Sequence, residues 1–158
     1  MPAIREKFPS VSKDHKIRIQ QDNARPHAKS GDMTINAAGK EDGWDISLTC
    51  QPPNSPDLNV LDLGYFKAIQ SIQHQMCPAT VDELIQCVRD AYWQQPIETT
   101  ENVFLSLQKV MECIMVEKGG NKYTLPHIGK QKIRQSCEQM PLTLNCSDDA
   151  INSALELL

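Results

Sequence analysis

The sequence predicts an α/β fold in which short parallel strands joined by a crossover helix are followed by a mainly helical C-terminal part. Three observations point there. Two short segments, Lys16 to Gln20 and Asp45 to Cys50, alternate apolar and polar residues with the period of a half-buried strand. The stretch between them has helical character and closes on Gly39 to Gly43. Beyond Pro56, apolar residues recur at helical spacing in one segment after another.

Taken in order, Ile17 and Ile19 give the first strand its apolar face, and Asp22 falls just past its C-terminal end. Pro26 suits the first turn of a helix, where its missing N–H is not needed, and that helix is expected to run to about Ala38. Ile46 and Leu48 share a face of the second strand. Strand, helix and strand in this order make a βαβ unit, whose crossover is almost always right-handed and whose strands are parallel. Both strands then end on the side where open α/β sheets carry their sites.

Pro52, Pro53 and Pro56 impose a stiff, extended loop, since each fixes its own φ and biases its predecessor away from helix. Asp57 or Asn59 can cap a helix that carries Leu61, Tyr65, Ala68, Ile69, Ile72 and Met76 and stops at Pro78. Thr80 and Glu83 have capping-box spacing, ahead of a stripe of Val81, Leu84, Ile85, Val88 and Tyr92. A further helix near Thr100 to Lys118 carries Val103, Phe104, Leu107, Val110, Met111, Ile114 and Met115, with Gly119-Gly120 as its left-handed stop. These two helices are expected to pack as a core-forming pair, with both methionines in the core. From Asn121 through Tyr123, Pro126 and His127 the chain reads as loop, with weak structure to Pro141. Ser147 then caps a last short helix whose Ile151, Leu155 and Leu158 share one side.

Bulk properties bound the function. At 158 residues and 40% hydrophobic content the chain suits one domain with a modest core. A net charge of −4 gives no general attraction to DNA. Lys130, Lys132 and Arg134 form the one tight basic group, and such a group is usually a solvated face. The six cysteines are widely spaced, without a Cys-x-x-Cys pair, so reduced thiols and an intracellular location are expected rather than a disulfide framework. His74 and Cys77 have a spacing that could serve zinc, but no second pair follows and they read as two residues at a helix end. No apolar run approaches the roughly 20 residues of a membrane span.

Two acids stand in settings suited to metal. Phosphoryl transfer needs a nucleophilic oxygen activated and a leaving oxygen neutralised, and divalent ions clamped by carboxylates on rigid elements do both. Mg²⁺ needs only a few such ligands because it stays partly hydrated. Asp22 at a strand end and Asp62 one turn into a helix fit that role. Bland readings compete: Asp-Asn after a strand is a turn signal, and an aspartate in a helix's first turn is favoured by the helix dipole.

Whole segments around these acids carry more than their spacing does. Gln21-Asp22-Asn23-Ala24-Arg25-Pro26-His27 resembles the mariner block around the second catalytic acid. Pro53-Asn54-Ser55-Pro56-Asp57-Leu58-Asn59 resembles the block leading to the third. The similarity continues through Tyr65-Phe66-Lys67-Ala68-Ile69-Gln70 and Gly119-Gly120-Asn121-Lys122-Tyr123-Thr124-Leu125-Pro126-His127. Thirty-nine residues lie between Asp22 and Asp62, as in the plant-type subgroup of mariner-like transposases whose three catalytic acids are all aspartate.

That resemblance implies a partial DDE transposase catalytic domain over residues 1–142, with an incomplete RNase H-like fold, and leaves 143–158 as a short helical tail. It implies Asp22 and Asp62 as catalytic ligands of Mg²⁺ or Mn²⁺ converging on one ion, and Asn23 and His27 as residues behind them or facing DNA. DNA at transposon ends would be the partner of the intact protein, in the nucleus, with a homodimer one assembly open to it. Only 21 residues precede Asp22, so the first catalytic aspartate and the helix-turn-helix region have no counterpart here. The expectation is a fragment without strand cleavage of its own. Two alternatives stay open. One is a non-catalytic interaction module using the helices from Val81 to Lys118. The other is a compact nuclease drawing a further acid from Asp14, Asp32, Asp42 or Asp45.

Overall fold

The computed structural model describes residues 2–8, 13–29, 31–125, 127–137 and 140–158. The chain is mixed α/β and mainly helical, in two compact units that divide between Ser55 and Pro56. Ser30, inside the expected first helix, and Pro126, in the expected loop, lie outside the described residues.

The first unit holds α1 (Pro2–Lys7), β1 (Lys16–Gln21), α2 (Met33–Gly39) and β2 (Asp45–Cys50). β1 and β2 pair in parallel, Lys16 opposite Asp45 through Gln21 opposite Cys50, as the βαβ reading requires. Ile17 and Ile19 are the more covered residues of β1, alternating with exposed Lys16, Arg18 and Gln20. The core is small: Ile46 and Trp44 are buried, with Gly39 against Ile46. Gly39 is fixed by close approach, because a Cβ there would overlap the carbonyl oxygen of Ile46. Arg5 of α1 pairs with Glu41 and Asp42 at 3.3 and 3.4 Å and donates to the carbonyl of Ala38.

α2 starts later than the sequence suggested. Asp32 caps it by accepting from Thr34 N and Ile35 N at 3.0 Å each, a cap worth about 1 kcal/mol. Pro26 lies in a turn instead, closed by a bond from His27 N to Ala24 O at 3.0 Å.

The second unit contains α3 (Phe66–Gln73), α4 (Val81–Gln94), α5 (Ile97–Val116), α6 (Lys130–Ser136) and α7 (Asp148–Leu155). The expected helix from Asp57 or Asn59 is broken into a 3-10 turn at Pro56–Leu58, a π-helical turn at Leu61–Tyr65, and α3. The break falls at Gly64, where a Cβ would press on Val103 Cγ2 at 3.3 Å, so α5 sits close against the turn. The Thr80 and Glu83 capping box forms as expected. Lys118 and Gly119, both with positive φ, stop α5.

The expected α4 and α5 core pair does not form in the way the stripes suggested. α4 packs chiefly on α3, while α5 packs on α7 and on the turns that follow Pro56. The stripe of α4 therefore stays 41–72% exposed from Val81 to Tyr92. The core of this unit is Val103, Leu105 and Val110 with Ala91 and Ala150. Met111 is 46% exposed, contrary to the expectation that it would be core. α6 occupies a stretch expected to be loose.

Three side chains, two on α5 and one just past its end, fasten the C-terminal stretch. Gln108 donates to Leu142 O at 2.8 Å and accepts from Leu144 N at 2.7 Å, as a neighbouring strand would. Glu112 accepts from Lys109 Nζ at 2.5 Å and from Ser147 N at 3.2 Å. Just beyond α5, Lys118 reaches Glu156 at 2.5 Å.

Candidate functional site

Asp22 follows the last residue of β1, at the C-terminal end of a parallel pair. The ladder runs one rung further, from Gln51 N to Gln21 O at 2.9 Å, so the loops after both strands leave side by side. Asn23 Nδ2 donates across to Gln51 O at 2.9 Å, and Gln21 Nε2 donates to Ala28 O at 2.5 Å. These bonds pin the loop carrying Asp22 to the strand ends.

The carboxylate is divided between two tasks. Asp22 Oδ1 accepts from Ala24 N at 2.9 Å, the turn that an Asp-Asn pair favours, and lies 2.5 Å from His27 Nδ1. The turn closed by His27 N and Ala24 O brings the ring back over the acid. Oδ2 has no hydrogen-bond partner among the described residues, and the side chain is about one-third exposed. The structure thus groups Asp22, Asn23 and His27 within one loop.

Asp62 belongs to the second unit, exposed in the first turn of the π-helical segment. Its Oδ2 accepts from Asn59 Nδ2 at 2.8 Å, while Asn59 Oδ1 accepts from Leu61 N at 3.1 Å. Asn59 therefore caps the turn and orients the acid at once. The 3-10 turn before it is anchored by the Tyr123 hydroxyl, which donates to Asp57 Oδ2. Burial first, and then the Asp57 carboxylate, push the Tyr123 hydroxyl up to about 12.

The two acids are held in the same way. One oxygen is held by N–H donors and the other is left open, which suits single-oxygen coordination by a partly hydrated ion. Within either unit, among the described residues, no group of three or more His, Cys, Asp or Glu side chains converges. Asp32 serves as the α2 cap and Asp42 pairs with Arg5, so both have structural employment.

Sequence reasoning named Asn59 as a candidate cap but missed its bond to Asp62, and it missed the bond of Tyr123 to Asp57. Asn59 stands three residues before Asp62, a spacing that was readable; the Tyr123 partnership spans 66 residues and left no local trace. Compared with protein-family models, curated proteins and solved structures, the chain matches none.

Proposed function

We propose that this chain derives from the catalytic domain of a mariner-like transposase, with an incomplete RNase H-like fold and two of its metal-binding acids, Asp22 and Asp62. The observation that carries the reading is the placement of Asp22. Inside the Gln21 to His27 block, it stands at the C-terminal end of a parallel strand pair with one carboxylate oxygen held and one open. Asp62, oriented by Asn59, supports it from the second block.

In this reading Asp22 and Asp62 hold Mg²⁺ or Mn²⁺, with His27 fixing the Asp22 carboxylate and Asn23 fixing its loop. A bound divalent ion supplies Lewis-acid stabilisation of charge on phosphodiester oxygens. The chain's own residues orient the carboxylates and leave their outer oxygens accessible. The 158 residues hold two of the three acids the resemblance calls for, so by themselves they are expected to bind an ion weakly and to cleave no DNA.

Mn²⁺ titration of the full chain, followed by electron paramagnetic resonance, tests the reading. Asp22→Ala and Asp62→Ala should each weaken binding, and unchanged binding in both would remove these acids as ligands. Metal-dependent nicking of plasmid DNA, abolished by Asp22→Ala, would overturn the expected inactivity.

A second reading, an interaction module derived from a transposon, draws on the exposed stripe of α4, where Val81 is 72% and Trp93 80% exposed. Self-association abolished by Val88→Glu, together with absent Mn²⁺ binding, would favour it.

A further inference from the structure

A cavity of about 540 Å³ opens beside the start of α6, lined by Ser106, Leu125, His127, Ile128, Lys130 and Gln131 among others. No carboxylate is among its described lining residues. Lys130 Nζ, partly buried, donates to Ser106 Oγ at 2.5 Å, a neutral acceptor that uses one of its three N–H groups. The Ser106 hydroxyl gives its own proton to Asn102 O at 2.9 Å. Ser106 is therefore an acceptor for the ammonium and not a poised nucleophile. Glu101, on the same helix, is paired with Arg134 at 3.4 Å. His127 Nδ1 accepts from Gly129 N at 3.1 Å, which leaves the ring proton on Nε2.

The lining thus offers hydrogen-bond donors from separate groups: the remaining ammonium N–H groups, the imidazole Nε2–H and the Gln131 amide. A charge drawn from water without a counter-charge is unfavourable, and burial lowers the Lys130 ammonium accordingly. An anion would offset that cost, and the apolar walls of Leu125 and Ile128 would strengthen its attraction. Several donors on different side chains suit a group with several acceptor oxygens, and lysine serves phosphate as a point charge.

We propose that this cavity is a phosphate-binding site, with Lys130 as its charge and His127 and Gln131 as supporting donors. The phosphate comes either as a free anion or as part of a nucleic-acid strand. The site uses neither Asp22 nor Asp62, so its failure and the failure of the metal reading are separate results.

The test is backbone-amide NMR of the full chain at low ionic strength, titrated in one arm with inorganic phosphate and in the other with a short oligothymidylate. Expected are saturable shifts centred on Ser106, Gly129 and Lys130. Lys130→Met should weaken phosphate binding roughly tenfold or more, Lys130→Arg should retain most of it, and Lys40→Met should change nothing. In the strand arm, Lys130→Met should also lower the slope of log affinity against log salt by about 0.7. A loss confined to the phosphate arm supports a site for free phosphate and removes the strand as its source. Shifts scattered over the surface, or equal affinity in Lys130→Met, overturn the proposal. If Lys130→Met loses its fold, the wild-type shift map decides.

Discussion

Asp22 Oδ1 accepts from the backbone N–H of Ala24 and lies 2.5 Å from His27 Nδ1, so a single oxygen of this acid is tied into the loop while the other has no hydrogen-bond partner among the described residues. The ring acts on the carboxylate's orientation. His27→Ala should leave the fold intact and weaken Mn²⁺ binding roughly tenfold, the scale typical of partners that orient a metal ligand. Equal Mn²⁺ affinity by paramagnetic resonance would show that Ala24 N alone suffices to hold the acid.

Gly39 packs where a side chain cannot. With Ile46 O in the space a Cβ would take, Gly39→Ala should destabilise the first unit by about 1–3 kcal/mol or more, as overpacking does. Trp44, buried in the same unit, reports this by fluorescence in denaturant, once exposed Trp93 is replaced by Phe.

Tyr123 and Asp57 make a prediction at alkaline pH. A hydroxyl pushed up to about 12 contributes stability that is fully present below the ordinary tyrosine value of 10.0 and is lost as pH rises through its folded value. Ultraviolet titration should show one tyrosine ionising late, and Tyr123→Phe should remove that late step. The same variant should loosen the turn before Asn59, seen as faster amide exchange at Asn59 and Leu61.

Glu112 predicts the acid side. Lys109 first, then Ser147, hold its carboxyl below the usual value of 4.5, against the opposing effect of burial. Its stabilisation is therefore present above that value and is lost as pH falls through the lower folded one. Glu112→Gln should cost about 1–3 kcal/mol and flatten the acid limb of a thermal-melt profile. An unchanged acid limb would show that Glu112 has no part in it.

What was legible in the sequence was what is local. The strands around Ile17 and Ile46, the caps at Thr80 and Ser147 and the stop at Gly119 each depend on residues a few positions apart, and each formed. The start of α2 was misread because Pro26 tolerates a first helical turn but does not require one. Asp22 and His27 bend that stretch into a turn, and the side chain of Asp32 supplies the cap. Met111 was misplaced because a helix of 20 residues meets different neighbours along its length, so one stripe does not define its buried side. For the candidate site, the acids were legible in their motif blocks, while Tyr123 and the pairing of Lys130 with Ser106 arise only when distant segments meet.

Gln108 and Glu112 of α5, and Lys118 just past its end, meet Leu142 and Leu144, Ser147 and Glu156 in matching order. A tail laced at three successive levels does not fray residue by residue from its tip. It comes away as a single piece, so protease nicking between Leu144 and Leu155 should report the opening of the whole lacing at once.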